Sequence, residues 1–156
     1  MKQFSWILLI LIFILGDQWT KNLVVNNFQL YERFNITPFF DITLLYNTGA
    51  AFSLFAFDTG SQRIPLILIS IIVSAYLLCL LIKHASSNHR ALNLSITMIA
   101  GGALGNLVDR ITQGYVVDFL LFYYENWYFP AFNVADSLIT IGMMIFLIDN
   151  FMIKDR

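Results

Sequence analysis

Charge and cysteine are scarce in this sequence. Only 12% of its 156 residues are charged, whereas an ordinary soluble domain has roughly 25%. The formal net charge is −1, which argues against nucleic acid as a partner because no basic surface is available. The single cysteine, Cys79, excludes an internal disulfide framework, and within its apolar run we expect a small buried hydrophobe. His84 and His89 lack a cysteine or carboxylate at ligand spacing, so no metal site is expected.

Long apolar runs are abundant instead, since hydrophobic residues make up 58% of the chain. They form four stretches, at about 4–25, 64–82, 91–108 and 134–153. Each is close to the ~20 residues that cross a ~30 Å hydrocarbon layer as a helix. The apolar start of the first stretch leads into Gly16-Asp17-Gln18-Trp19 rather than a small-residue cleavage site, so we expect a retained helix. The sequence predicts an all-α membrane protein with four transmembrane helices, forming a single integral-membrane domain over residues 1–156.

The distribution of lysine and arginine predicts the orientation of these helices. Positive residues that flank membrane spans favour the cytoplasmic side. With four spans, one side of the membrane receives Lys2, Lys83, Arg90, Lys154 and Arg156. We therefore expect both termini in the cytoplasm, with the two larger connections, about 26–63 and 109–133, facing outward.

The outward segments are rich in aromatic and β-branched residues. Residues 28–57 show partial alternation of apolar and polar side chains with turn residues between, and we interpret them as a small extracytoplasmic β-sheet on the membrane surface. Residues 119–129 contain Tyr, Trp and Phe, which favour the headgroup level, and are predicted to be an interfacial segment. A simple membrane anchor remains the alternative for both, because composition alone does not decide between them.

Two aspartates beside the predicted helices are the strongest candidates for a functional site, because ionisable groups near hydrocarbon are costly. Asp118 has apolar neighbours that favour its protonated form. Asp136 follows a candidate helix N-cap, Asn133, where the helix dipole favours its ionised form. Two carboxyls with opposite preferences can share a proton and divide the roles of acid and base. In the alternative, Asp136 only helps to cap a helix and Asp118 is solvated in a loop.

Other polar residues collect on the same predicted side of the membrane. Asp17 and Lys21 are four residues apart and share a helix face, so they can form an ion pair with either a structural or a site role. Asn106 and Arg110 share a face at the outer end of the third stretch, and Arg110 can bind a carbonyl or carboxylate or extend to headgroups. Gly49 lies in a polar turn. The Gly101-x-x-x-Gly105 pattern in the third stretch indicates close helix packing.

Five short motifs, taken in order and spacing, closely resemble bacterial lipoprotein signal peptidase, also called signal peptidase II. The resemblance covers essentially the whole chain. The motifs are Asp17-Gln18-Trp19-Thr20-Lys21, Asn47-Thr48-Gly49-Ala50-Ala51-Phe52-Ser53, Gly101-Gly102-Ala103-Leu104-Gly105-Asn106-Leu107-Val108-Asp109-Arg110, Val116-Val117-Asp118-Phe119 and Phe132-Asn133-Val134-Ala135-Asp136.

The resemblance implies an aspartic endopeptidase of the bacterial cytoplasmic (inner) membrane, with its active site at the extracytoplasmic face. Its substrate would be a diacylglyceryl-modified prolipoprotein, cut on the amino side of the lipidated cysteine. The implied catalytic pair is Asp118 and Asp136. No metal or organic cofactor would be needed, globomycin-type cyclic peptides would inhibit, and the chain would act as a monomer in contact with membrane lipid. The implied supporting residues are Asp17, Lys21, Asn47, Gly49, Asn106, Arg110 and Asn133.

Two other functions are compatible with a small polytopic protein. A proton-coupled transporter subunit could use Asp17, Lys21, Asp118 and Asp136 as a relay, but a relay should distribute carboxylates through the depth of the membrane, and these collect on one side. A non-catalytic scaffold could use the glycine-rich helix and the aromatic segments to bind partners. Replacing either Asp118 or Asp136 with asparagine separates these functions from a protease.

Overall fold

The computed structural model describes residues 2–49, 62–84 and 89–154. Within these ranges the predicted combination of four helices with a small sheet is confirmed, and each helix is long and apolar enough to cross a membrane. The part of the predicted β element at 50–57 lies outside the described residues. The element order is α1 (Lys2–Asn27), β1 (Arg33–Thr37), β2 (Phe40–Asn47), α2 (Arg63–His84), α3 (Arg90–Thr112), β3 (Val116–Tyr124), β4 (Trp127–Tyr128) and α4 (Val134–Lys154).

Helix α3 is the centre of the bundle and contacts α1, α2 and α4. In an 18-residue window, 61% of α3 is buried, against 22% for α1 and 17% for each of α2 and α4. The buried helix also has the lower mean hydropathy, 1.4 against 2.7 for α2. A lipid-facing helix must be apolar, whereas a helix enclosed by protein can carry small and polar residues that find partners. Helix α3 is therefore the element able to hold a polar site.

Glycines allow the neighbouring helices to approach α3 closely, as the Gly101-x-x-x-Gly105 pattern predicted. A Cβ atom on Gly101 would lie 2.9 Å from Cβ of Phe13 on α1, and one on Gly102 would lie 2.3 Å from the backbone oxygen of Ala135 on α4. A Cβ on Gly105 would lie 2.7 Å from Oδ2 of Asp17. Because backbone atoms approach within contact distance, side chains on α1 and α4 reach the same stretch of α3.

One apolar cluster lies between the helices of the bundle, where Ile10, Leu81, Ile96 and Ala100 pack together. Cys79 is not part of it. The prediction that this cysteine is buried was wrong, because its side chain is exposed on α2. In a membrane protein, lipid-facing and protein-facing positions are both apolar, so an apolar run in the sequence does not reveal which side a residue faces.

The sheet is antiparallel, in the order β1-β2-β3-β4. Its central pair joins the two outward segments, with Leu45 opposite Asp118 and Asn47 opposite Val116. Residues 119–129, which were predicted to be an interfacial segment, mostly belong to β3 and β4. The prediction missed these strands because β3 is stabilised by hydrogen bonds to β2, which is distant in the sequence. Val24 of α1 packs under the sheet, in a cluster completed by Leu44, Val117 and Phe119.

Arg63, at the start of α2, holds the end of α3. Its Nε and Nη2 atoms donate to the backbone oxygens of Arg110 and Ile111, both at 3.0 Å. These carbonyls belong to the last turn of a helix and have no partner within it. Gly114, with φ of 86°, gives the chain its exit from α3 beside the Arg63 guanidinium. The helix extends four residues beyond the predicted span, so Asp109 and Arg110 lie on helical faces with fixed directions.

Candidate active site

Asp136 lies in the first turn of α4, where it forms a reciprocal cap with Asn133. The backbone N–H of Asp136 donates to Oδ1 of Asn133 at 2.9 Å, and the N–H of Asn133 donates to Oδ2 of Asp136 at 3.3 Å. This arrangement satisfies two otherwise unpaired donors at the helix start. The predicted N-cap role of Asn133 is confirmed. The positive end of the helix dipole stabilises an ionised Asp136.

Asp118 is buried in the middle of the site, with 3% of its surface exposed. It lies on strand β3 rather than in a solvated loop, which excludes one alternative that the sequence left open. Its oxygens accept two side-chain amides, from Asn133 at 2.7 Å and Asn47 at 2.9 Å. Burial, followed by the charge of Asp136, raises the pKa of Asp118 to about 7. This carboxyl can therefore hold a proton at neutral pH.

Asparagines connect the two carboxyls to one another and to α3. Asn133 is hydrogen-bonded to both, through its side chain to Asp118 and through its backbone to Asp136. Asn106 on α3 donates from Nδ2 to Oδ1 of Asp136 at 2.8 Å. The two aspartates are thus 18 positions apart in the sequence, yet one intervening residue binds both.

A buried ion cluster lies behind Asp136. The ammonium of Lys21 is 2.7 Å from Oδ2 of Asp17 and 2.8 Å from Oδ2 of Asp109, and it donates to Oδ1 of Asn106 at 2.9 Å. The predicted Asp17–Lys21 pair is confirmed. Exposure is 3% for Lys21, 0% for Asp17 and 2% for Asp109. Such burial is tolerated only because every charged atom has partners, which ties the cluster to the bundle core.

Asp17 also fixes the start of α4. Its Oδ1 atom accepts the backbone N–H of Ala135 at 2.9 Å, so a residue of α1 caps a second helix. The contact forms where a side chain on Gly105 would displace the Asp17 carboxylate. Asp17 therefore connects α1, α3 and the first turn of α4, which carries Asp136.

Arg110 and Gly49 meet at the edge of the site. The Nη2 atom of Arg110 donates to the backbone oxygen of Gly49 at 3.0 Å, and Nη1 contacts the backbone oxygen of Asn106 at 3.4 Å. The N–H of Gly49 in turn donates to Oδ1 of Asn47 at 2.9 Å. Asn106 and Arg110 are 6% and 9% exposed, so both face the interior rather than the headgroups. The Nε atom of Arg110 has no partner within the part of the chain that the structure describes.

Two residues of the site were not predicted as such. Asp109 is the second anion on Lys21, and Gln18 donates from Nε2 to Oδ1 of Asp109 at 2.7 Å and to the backbone oxygen of Gly105 at 3.2 Å. Asp109 could have been predicted from the sequence. If the third motif is helical, Asp109 follows Asn106 by three residues and lies on the same face of the helix. Gln18 gives no such signal, since its partners are about 90 residues away.

Among the described residues, two cavities with different walls reach Asp136. One, of about 320 Å³, has mostly apolar walls that include Phe129, Phe132 and Ile141. The other, of about 220 Å³, lies between α2, α3 and α4 and contains Asn106 and Arg110. Among residues 2–49, 62–84 and 89–154, no group of three or more histidine, cysteine or acidic side chains could hold a metal ion. Asp136 therefore lies beside space that an extended apolar and polar molecule could occupy.

A membrane helix bundle with a surface sheet, and with a buried carboxyl linked to a half-buried one at their junction, defines a polytopic membrane protein with an acid–base site. Comparison with known proteins specifies the class. The family model described as signal peptidase (SPase) II matches residues 9–152. The chain belongs to the signal peptidase II family, a family of peptidases.

Relatives over almost the full chain carry the corresponding name. A lipoprotein signal peptidase of Neisseria meningitidis serogroup C (strain 053442) is 45% identical over 150 residues, covering 96% of this chain and 90% of the relative. One from Photorhabdus laumondii is 39% identical over 151 residues, covering 97% and 90%. A bacterial membrane enzyme solved by the in meso method at 2.3 Å resolution matches with a TM-score of 0.80 and 28% identity, covering 94% of this chain and 87% of that one. Another, at 1.9 Å, matches with a TM-score of 0.77 and 29% identity, covering 93% and 91%.

Proposed function

We propose that this chain is a membrane aspartic endopeptidase that removes the signal peptide from diacylglyceryl-modified prolipoproteins. Family membership supports prolipoprotein signal-peptide cleavage. The single observation that supports the aspartic mechanism is the pair of carboxyls joined through Asn133, beside cavities that reach Asp136. No comparable support exists for a transporter subunit or a scaffold, because the family and the named relatives are peptidases.

In the proposed reaction, the two carboxyls share one proton and hold one water molecule. The ionised carboxylate removes a proton from this water, whose oxygen adds to the scissile carbonyl carbon. The protonated partner donates to the carbonyl oxygen and stabilises the gem-diol that forms. Transfer of a proton to the amide nitrogen then lets the C–N bond break, which leaves a carboxylic acid on the signal peptide and an amine on the lipidated cysteine. Asp118 suits the protonated role, since burial and the charge of Asp136 raise its pKa to about 7.

The surrounding groups are proposed to position the peptide. Arg110 lines the smaller cavity, and its Nε atom has no partner among the described residues. Asn106 lines the same cavity, so both can bind a backbone carbonyl. The apolar signal helix and acyl chains would remain in the membrane and enter sideways between helices. Only the bond to be cut then has to be brought to the carboxyls, and binding of the apolar parts supplies the positioning.

Topology and inhibition follow as part of the same proposal. The lysine and arginine distribution supports cytoplasmic termini and an outward-facing site in the bacterial inner membrane. A monomer is part of the proposal, because the two carboxyls and the residues that bind them belong to the same chain and need no residue of a second copy. A globomycin-type cyclic peptide should inhibit by placing a hydroxyl between Asp118 and Asp136.

The test is a cleavage assay on a diacylglyceryl-modified prolipoprotein in detergent with a metal chelator. Asp118→Asn and Asp136→Asn should each lower turnover by roughly 10²- to 10⁴-fold, because each removes one member of the acid–base pair. Both variants should still bind substrate and melt cooperatively. Asp41→Asn is the matched control, since Asp41 is as buried as Asp118 but lies outside the network. Normal turnover by either site variant, or inhibition by the chelator, would contradict the mechanism.

A further inference from the structure

Three asparagine side chains donate to the carboxyl pair, and each must point its NH2 rather than its oxygen at a carboxylate. The donors are Asn47 and Asn133 to Asp118 and Asn106 to Asp136. The two ends of an asparagine amide are almost the same in shape, so shape alone does not fix the direction. The direction is fixed by whatever donates to the amide oxygen.

Asn106 differs from the other two in how its direction is fixed. The oxygens of Asn47 and Asn133 accept rigid backbone N–H groups, from Gly49 and Asp136, both at 2.9 Å. The oxygen of Asn106 instead accepts the Lys21 ammonium at 2.9 Å, with a longer contact of 3.3 Å from the Asn133 amide. An ammonium has donors and no acceptor, so it binds the oxygen end and excludes the NH2 end.

The direction of the Asn106 amide matters because its NH2 donates to Asp136 at 2.8 Å. If the amide turned over, its oxygen would face a carboxylate oxygen, and Asp136 would lose a donor that stabilises its ionised form. The shared proton would then move towards Asp136, away from Asp118. The identity of the base is therefore sensitive to one amide rotation.

We propose that Lys21 is a positioning residue for the carboxyl pair: it holds the oxygen of Asn106, keeps the Asn106 amide donating to Asp136, and so keeps Asp136 as the base while Asp118 carries the proton. This inference rests on the proposed function, because it divides the roles within that pair. Asp17 and Asp109 hold the Lys21 ammonium between them, at 2.7 and 2.8 Å, so that it cannot turn to either carboxyl of the pair.

The charges around the pair agree with this division. Asp136 lies at the positive end of α4, whereas Asp118 lies on a strand and receives only neutral amides. The charged side chains that face the pair are Asp17 and Lys21 from α1 and Asp109 and Arg110 from α3.

The test must separate the amide contact from the charge of Lys21, because removing a cation alone would also affect both carboxyls. The double variant Lys21→Met/Asp109→Asn removes one positive and one negative charge, so the net charge of the cluster is conserved while the donor to Asn106 is lost. It is compared with Asn106→Ala and with the triple variant. Asp109→Asn alone reports the effect of the carboxylate, and Lys83→Met is the same lysine change at an exposed position at the end of α2.

If Lys21 acts through Asn106, the double variant and Asn106→Ala should each lower kcat by about 10- to 100-fold, the usual value of a hydrogen bond to a charged group. The triple variant should then lie within about threefold of Asn106→Ala, because the same interaction cannot be lost twice. KM should change by less than about threefold in the double variant, which keeps the Asn106 side chain, and Lys83→Met should match the wild type. A triple variant whose loss equals the product of the two separate losses, or a double variant with wild-type kcat, would overturn the proposal.

A second measurement does not depend on turnover. The protonated-carboxyl band in infrared spectra, assigned with Asp118→Asn, should titrate in the wild-type protein with a midpoint near neutral pH. In the double variant and in Asn106→Ala this Asp118 band should lose intensity at neutral pH by the same amount, because the shared proton moves to Asp136, and in the triple variant it should weaken no further. An unchanged Asp118 band in the double variant would refute the role of Lys21. If wild-type protein failed to cleave prolipoprotein but the variants showed these losses of intensity, the proposed function would fail while the positioning of the amide would stand.

Discussion

Asp41 and Asp118 are equally inaccessible carboxyls on neighbouring strands, yet they have opposite electrostatic surroundings. Each is 3% exposed. Burial alone would raise the pKa of Asp41, but hydrogen bonds from Asn35 and Arg33 outweigh it and hold that pKa below its ordinary value. Asp118 has amide donors but no cation in contact, so burial and the charge of Asp136 raise its pKa to about 7.

The difference teaches that a small exposed surface does not identify a functional carboxyl. Asp118 lies deep in the protein and Asp41 lies close to its surface, and their partners differ in charge. The Arg33 guanidinium that neutralises Asp41 also lies over the rings of Tyr123 and Tyr128, at 5.3 and 5.0 Å from their centroids. These contacts join all four strands of the sheet. Asp41 therefore belongs to a structural clamp, while Asp118 is a carboxyl that can hold a proton at neutral pH.

The largest expected effect is a change in the free energy of unfolding with pH that is caused by titration of Asp118. Its folded pKa lies above the unfolded value of about 3.9, so the unfolded state loses its proton first as the pH rises. The stabilisation is complete below pH ~4 and is lost by pH ~7, at up to about 1.4 kcal/mol per pH unit. Asp118→Asn should abolish this loss. The measurement is the Tm in detergent from pH 4 to 8 for both proteins.

Parallel Tm curves for wild type and Asp118→Asn over that range would show that the Asp118 carboxyl is not perturbed. A slope that disappears in Asp118→Asn but persists in Asp41→Asn would support the contrast between the two carboxyls. Asp41→Asn removes an equally buried carboxylate by the same chemical change, so it controls for the loss of an oxygen acceptor.

A smaller effect of opposite sign is expected at Asp41. Its folded pKa is lowered, so its contribution to stability is present above the unfolded value of about 3.9 and is lost as the pH falls below it. Because Arg33 is 40% exposed, solvent screening limits this contribution to about 1 kcal/mol. The Tm of Asp41→Asn should be below that of the wild type at pH 6 and should converge with it near pH 3. A constant difference across this range would contradict the assignment.

The smallest effect is expected for Arg33→Lys, which keeps the positive charge but loses the planar guanidinium group. Arg33 reaches Asp41 through two nitrogens and covers two tyrosine rings, and lysine reproduces neither feature. We expect a destabilisation of a few tenths to about 1 kcal/mol, measured as a lower Tm, and unchanged turnover. Reduced turnover at full stability would mean that the sheet clamp influences the active site.

The helices were predictable because they depend on a local property. Runs of about 20 apolar residues predict spans whatever their neighbours, and the predicted spans agree with α1, α2 and α4 to within a few residues. The end of α3 was less predictable, since Asp109 and Arg110 are charged and were assigned to the outward segment. Partners supplied by Lys21 and Gly49 let these charges remain on a buried helix.

Strand β3 was missed for a related reason. Its aromatic residues suit a membrane interface as well as a sheet, and its hydrogen bonds are made with β2, about 75 positions away. Similarly, the sequence could not show that Cys79 is exposed on the surface of the helix bundle, because lipid and the protein interior both accept an apolar side chain.

The sequence by itself determined that four segments enter the membrane and that two carboxyls lie where charge is costly, because hydrophobicity and its violation are local properties of the chain. Only the tertiary structure decided which carboxyl is neutralised and which retains a proton. The partners of Asp118 come from β2 and the start of α4, and Lys21 reaches the pair through a residue 85 positions away. Electrostatic interactions depend on distance in space, which the order of residues does not specify.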